Sequence, residues 1–236
     1  MPETVISSPE SQPTEPPIQA AVPSLLVSST GSLSLGDKFS HDPLGNTLAV
    51  IVLVGMIAML AAASCRLRGI SVMPSNPSQT WVIPILVLAG LGVAGYLAFV
   101  EITHAQAVCG LVGDCNTVQQ SEYARLFGIL PIGVLGVIGY ILILVAWLIG
   151  RSNNQRQSAY ATLALFVMSG FSVLFSIYLT FLEPFVIGAT CALCLASAIL
   201  VTWIFWLTIN PAKAALANLS RERKNVFEKQ KEDHQP

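Results

Sequence analysis

Residues Trp81 to Val100 read WVIPILVLAGLGVAGYLAFV, twenty consecutive positions without a charged side chain. At 1.5 Å of rise per residue, a helix of that length spans roughly 30 Å, the thickness of a bilayer's hydrocarbon core. Further uncharged stretches run from Pro43 to Cys65, Leu126 to Gly150, Gln157 to Leu182 and Pro184 to Ala212. Buried helices of a large soluble protein also lack charge, but the linkers here are too short to supply polar sequence that would cover them. The expected fold class is an all-α integral membrane protein with five transmembrane helices. Composition agrees: 53% of the 236 residues are hydrophobic and 11% are charged, against about 25% charged in soluble chains. A net charge of -1 argues against nucleic acid as a partner, which needs a clustered cationic surface.

Outside these stretches the chain changes character. Residues 1–45 are rich in Ser, Thr and Pro, with Glu3, Glu10, Glu15, Asp37 and Asp42 against the single base Lys38, and read as a disordered tail. No basic region precedes Leu48 to Ala63, so an additional transmembrane helix at 46–65 is expected to stay in place and not to be cleaved as a signal. The segment SRERKNVFEKQKED within 211–236 alternates in sign and reads as a charged, solvated tail. Lys and Arg near helix ends are retained in the cytoplasm. Arg66, Arg68, Arg151, Arg156, Lys213, Arg221, Arg223, Lys224, Lys229 and Lys231 all fall on one face of a five-helix chain. The expected topology is N-out and C-in, with the tail 1–45, the loop 104–125 and the turn 183–190 outside. Glu101 and Glu183 then sit at outer helix ends, where charges meet water at low cost.

Charge alone fixed that topology, and it places Cys109, Cys115, Cys191 and Cys194 together on the outer, oxidising face. Cys65 falls at the inner end of the first helix and reads as a small buried apolar side chain. Cys191-Ala-Leu-Cys194 opens a helix, with Thr190 as expected N-cap after Gly188. A sulfur near the unsatisfied amides and positive end of a helix is stabilised as thiolate, which suits reversible redox chemistry. The i,i+3 spacing sets Cys194 one turn deeper on the same face. Two static disulfides, or zinc or copper capture by four thiolates, would also account for these cysteines.

The run Cys109 to Tyr140, CGLVGDCNTVQQSEYARLFGILPIGVLGVIGY, followed by CALC at a helix start, resembles the vitamin K epoxide reductase (VKOR) family, in particular its bacterial homologues. The resemblance rests on the Cys-x5-Cys loop, the Asn-Thr-Val-Gln-Gln-Ser after it, the Tyr-Ala-Arg-Leu-Phe-Gly leading to Pro131, and the CxxC. It implies that the second to fifth helices, residues 81–210, form a VKOR-like catalytic four-helix bundle around a quinone, with 104–125 as redox loop. It implies a membrane dithiol:quinone oxidoreductase that generates disulfides. In that scheme Cys109 and Cys115 take electrons from a thioredoxin-fold partner, Cys115 exchanges with Cys191, and Cys194 faces the quinone. Ser121 matches the family's serine and is expected either to position groups near the quinone or to cap the helix entry before Glu122.

The sequence departs from the commonest bacterial pattern in its additional N-terminal helix and in lacking a fused thioredoxin-like domain after the bundle. The expected partner is therefore a separate, DsbA-like extracytoplasmic carrier. The expected cofactor is a ubiquinone, menaquinone or plastoquinone drawn from the membrane pool, with no metal. The expected location is a bacterial plasma or thylakoid-type membrane, active cysteines on the periplasmic or lumenal face. Ala198 stands four residues after Cys194 where a tyrosine would be expected for vitamin K recycling, so that specificity is not carried over. A gap of ~100 mV between dithiol and quinone would drive transfer by several kcal/mol, since 30 mV is worth about 1.4 kcal/mol for a two-electron couple. The alternative reading is a thiolate metal-binding or metal-transport membrane protein.

Overall fold

Short polar side chains start three of the helices. Asp42, Asp114 and Asn154 each accept a hydrogen bond from amides of the following turn, satisfying donors that the first turn leaves over. The computed structural model describes residues 39–40, 42–69, 81–108, 113–126 and 130–232, all within the unit Leu33–Pro236. Cys109 and most of the 1–45 tail lie outside the described residues. The helices are α1 (Pro43–Arg68), α2 (Val82–Thr103), the short α3 (Cys115–Gln120), α4 (Ile132–Ile149), α5 (Gln155–Leu182) and α6 (Ala192–Glu232). Helices α1, α2, α4, α5 and α6 are five segments long and apolar enough to cross a membrane. The protein is a multi-pass, all-α membrane protein.

Two helix starts differ from the sequence reading. The third spanning helix begins at Ile132, not Leu126. Arg125–Leu126 (β1) and Leu130–Pro131 (β2) pair antiparallel, with Arg125 opposite Pro131 and Leu126 opposite Leu130. Pro131, at ψ 136°, is extended and holds the chain out of the helix until its ring has passed. The fifth begins at Ala192, one residue past the start expected from Thr190 as cap. Glu183–Ile187 prolong α5 as a π-helical turn, closed by Gly188 at φ 81°, whose N–H donates to the Glu183 carbonyl at 2.8 Å. At its other end α6 runs through Pro211 to Glu232, so the charged C-terminal stretch continues the fifth helix without a break.

Helices α2, α4, α5 and α6 form the four-helix bundle, and α1 packs outside it on α5, α6 and the π turn. One apolar cluster joins Val87, Tyr140, Ile143, Leu165 and Ile204 from the four bundle helices. A second joins Met56 and Ala63 of α1 to Val173, Val201 and Phe205. Side chains facing away from these clusters are as apolar as those within them: Ile51, Ile85 and Phe171 are 62%, 66% and 69% exposed, as expected where the solvent is lipid. Cys65 is exposed rather than buried, because α1 meets the bundle along one side.

Basic residues of α1, the α4–α5 turn, α5 and α6 collect at one end. Lys213 Nζ donates to the carbonyls of Arg66 and Gly69 at 2.9 and 2.7 Å, and the Arg66 guanidinium lies 4.2 Å over the Trp206 ring. Arg151 covers Trp81 and Trp147 at 4.4 and 5.0 Å. Arg156 pairs with Glu222 at 2.9 Å.

The bundle closes tightly where α2 meets α4. A Cβ on Gly133 would lie 2.5 Å from the Ala98 nitrogen and 2.8 Å from its Cα, and backbone cannot move aside as a side chain can. Gly90 likewise lies flat under the Tyr140 ring. Gly139, on the same helix, faces open space. Gly133→Ala is expected to lower the unfolding free energy in detergent by ~1–3 kcal/mol, the usual cost of overpacking, while Gly139→Ala leaves it unchanged. Thermal unfolding followed by circular dichroism checks both.

Candidate redox site

The outer end of the bundle brings the sulfurs together from separate elements. Asp114 caps α3 by accepting from the amides of Asn116 and Thr117, both at 3.2 Å, which sets Cys115 as the first residue of that helix. Asn116 ties the loop back on itself: its Oδ1 accepts from Ala107 N–H at 2.7 Å and its Nδ2 donates to the Ala107 carbonyl at 3.3 Å. Tyr96 of α2 accepts from Val108 N–H at 2.9 Å. Gly113, at φ 86°, sits directly against the Thr190 carbonyl, and a Cβ there would overlap that oxygen. Only glycine offers both the left-handed backbone and the missing side chain. The result is one buried apolar cluster holding Cys115 and Cys191 with Leu97, Val100 and Ala107, against which Cys194 also packs. Cys115 is in a disulfide, whereas Cys191 and Cys194 are free thiols.

The cap of α6 is not Thr190. The helix starts at Ala192, so Cys191 occupies the cap, and its sulfur accepts from the Cys194 amide at 3.3 Å. Thr190 turns away to donate its hydroxyl to Asn46 Oδ1 at 2.9 Å. Hydrogen bonds from the Cys194 thiol and from the amides of Cys194 and Leu193 hold the Cys191 thiol below its ordinary pKa, against the opposing effect of burial. This is the thiolate-stabilising helix start that the CxxC spacing implies.

Cys191 is wholly buried, but Cys194 lines a cavity of about 510 Å³ inside the bundle. Its walls are mainly apolar, including Leu97, Ile132, Leu135, Phe171 and Val201. Glu101, Gln119, Ser121 and Glu183 contribute polar groups. Ser121 does not cap the following turn with its side chain; its hydroxyl donates to the Val118 carbonyl at 2.6 Å. Glu183 is not at a water interface: it is 2% exposed, and its Oε2 accepts from Cys191 N–H at 3.3 Å. Glu101 Oε2 accepts from Gly133 N–H at 2.8 Å.

Sequence reasoning passed over Gln119, whose Oε1 and Nε2 are both buried without a hydrogen-bond partner, and the fully buried Asn46. A polar residue two positions before Ser121, and another in the first turn of an apolar helix, were the available signals. Among the described residues no three or more His, Cys, Asp or Glu side chains gather as a metal site.

A membrane bundle that sets a CxxC at a helix start beside an apolar cavity has the parts that thiol redox chemistry needs. Residues 81–209 match the model of the vitamin K epoxide reductase family, more than half of the chain, and the protein is a member of that family. It is similar to "Thiol-disulfide oxidoreductase LTO1" of Arabidopsis thaliana, 30% identical over 129 residues, which are 50% of this chain and 32% of that protein. The match thus spans about a third of the relative's length.

The lowered pKa of Cys191 gives a sign for the pH dependence. Its thiolate is expected to persist as pH falls below the ordinary thiol value of about 8.5 and to be lost only on passing the depressed one. In a Cys65→Ser background with the loop pair oxidised, the ultraviolet thiolate absorbance of the CxxC should first titrate with a midpoint below that of a free thiol. Removing the donor by Cys194→Ala should raise the midpoint.

Proposed function

We propose that this protein is a dithiol:quinone oxidoreductase that generates disulfides, with residues 81–210 as catalytic bundle and 104–125 as redox loop. The observation that carries this reading is the division of labour within the CxxC: Cys191 packs in one cluster with Cys115, while Cys194 lines the cavity. Electrons enter when a thiolate of a thioredoxin-fold dithiol partner attacks the loop disulfide and the partner leaves as its own disulfide. The Cys115 thiolate then attacks the Cys191–Cys194 disulfide at Cys191, and Cys194 departs as thiolate. Cys109 displaces Cys191 from Cys115, which restores the loop disulfide and leaves the CxxC as a dithiol. The structure has the loop cysteine Cys115 oxidised and the CxxC reduced, the arrangement in which the electron pair rests on Cys191 and Cys194.

The cavity fits a quinone ring. Its volume of about 510 Å³ lies within the roughly 300–1,000 Å³ of small-molecule sites, and an apolar wall with few polar groups is their usual chemistry. Gln119, with both side-chain polar atoms buried and unpartnered, supplies a donor that a ring carbonyl would satisfy, and Ser121 supplies a hydroxyl nearby on the same wall. A quinone held there would supply the acceptor for the two electrons and two protons that the Cys191 and Cys194 dithiol gives up. The disulfide Cys191–Cys194 re-forms as the pair is given up, and the apolar walls keep water from the exposed thiolate.

The clustering of Lys213, Arg66, Arg151 and Arg156 at the opposite end supports an N-out, C-in orientation. The redox face is then periplasmic or lumenal in a bacterial plasma or thylakoid-type membrane. The helix 46–65 is additional to the catalytic bundle, and 211–236 extends into the cytoplasm.

Anaerobic quinone reduction by the purified protein, driven by a reduced thioredoxin-fold donor, tests this. Turnover is expected in the parent and is lost in Cys194→Ser; Cys109→Ser is expected to fail with the protein donor yet to respond to a small dithiol. Gln119→Leu is expected to raise KM for quinone about three- to tenfold with kcat little changed, the worth of one hydrogen bond. Stoichiometric metal on the outer cysteines with no quinone consumed would establish the carrier reading instead.

A further inference from the structure

Asn46 lies in the first turn of α1 and is fully buried, though α1 stands outside the bundle that holds the cysteines. Burying a primary amide in a membrane protein is costly unless its donors and acceptor are all used. Here the acceptor and one donor are used on the redox turn. Nδ2 donates to the carbonyls of Phe39 and Gly188, at 3.3 and 3.4 Å, and Oδ1 accepts from the Thr190 hydroxyl at 2.9 Å. Gly188 and Thr190 are buried residues of the segment between the π turn and Cys191, a stretch with no regular secondary structure to fix it. The other side of Thr190 is held too, since its carbonyl rests against Gly113 of the redox loop. Thr190 is thus gripped by α1 through its side chain and by the loop through its backbone, one residue before the sulfur that caps α6.

We propose that Asn46 is a positioning residue for thiol exchange: through Gly188 and Thr190 the additional helix holds the CxxC turn against Gly113, so that Cys191 meets Cys115. This rests on the exchange between the loop pair and the CxxC proposed above. It assigns α1 a part in the chemistry, although α1 contributes no reacting group.

The exchange geometry can be measured without quinone. In the full chain carrying Cys65→Ser, Cys109→Ser and Cys194→Ser, only Cys115 and Cys191 remain. Equilibration in detergent with a glutathione redox buffer then yields the effective concentration of one sulfur at the other, as a reduced pair of thiols becomes one disulfide while oxidised glutathione becomes two reduced molecules. Asn46→Leu is expected to lower that effective concentration about tenfold or more, as loss of a buried amide's hydrogen bonds to the turn implies. Thr190→Val, nearly isosteric, is expected to lower it several-fold. In the double variant the effects should fall short of additive because they break one shared contact. Asn46→Asp, which keeps the acceptor for Thr190, should lie between Leu and the parent. Within folded protein, judged by an unchanged apolar-core melting profile, an effective concentration unmoved by both Asn46→Leu and Thr190→Val overturns the proposal. If Asn46→Leu does not fold, Thr190→Val decides alone. If the background variant forms no Cys115–Cys191 bond, the exchange reading fails, and the positioning role of Asn46 falls with it.

Discussion

The residue that caps α6 is wholly buried, and the rest of the outer half is arranged around satisfying the amides there. Cys191 is wholly buried, so its sulfur and the Glu183 carboxylate must take up the donors that solvent would otherwise serve. The sulfur accepts from the Cys194 amide at 3.3 Å and the carboxylate accepts from Cys191 N–H at 3.3 Å. Glu183 reaches that amide because Glu183–Ile187 widen into a π turn at the end of α5. Gly188 at φ 81° then reverses the chain, Asn46 holds the turn from α1, and Gly113 closes it from the loop. Satisfying a buried cap and preparing a thiolate are here the same set of bonds.

The three-residue spacing of the CxxC turns that cap into a divider. One sulfur lies in an apolar cluster with Cys115, and the other opens on a cavity walled by the bundle helices. In the proposed reaction the separation keeps water-side thiol exchange away from the lipid-side acceptor, while i,i+3 neighbours on a helix stay close enough to join and part as a disulfide. The loop that carries Cys115 is pinned by Asn116 and Tyr96. The bundle supports this with a close α2–α4 contact at Gly133, where the Glu101 carboxylate also accepts the Gly133 amide at 2.8 Å.

Helix α1 stands apart from the family's matched span of 81–209 yet shares a core with α5 and α6 through Met56, Val173 and Phe205. In hydrocarbon the pairing of apolar faces gains little over lipid contact, so a polar tie counts for more in fixing how helices meet. Asn46 is such a tie, and it is made to the redox turn. The inner end is fastened differently, by Lys213 on the last carbonyls of α1 and by Arg66 over Trp206, where water and headgroups tolerate charge.

Much of this was legible in the sequence because it depends on length, charge and spacing. Uncharged runs long enough to span hydrocarbon have to become helices, since lipid leaves no other partner for their backbone. The spacing of Cys191 and Cys194 points to two sulfurs with different surroundings, and the fold packs one beside Cys115 and lines the cavity with the other. What the sequence could not decide were matters of which group satisfies which. Thr190 is a better N-cap by residue type than cysteine, but the fold gives its hydroxyl to Asn46, 144 positions away in the chain, and leaves the cap to sulfur. Glu183, like any carboxylate at a helix end, reads as wetted, and only the π turn brings it inward to the Cys191 amide. Hydrogen-bond partners distant in sequence are chosen by the packing of whole helices, and only the tertiary structure carries that information.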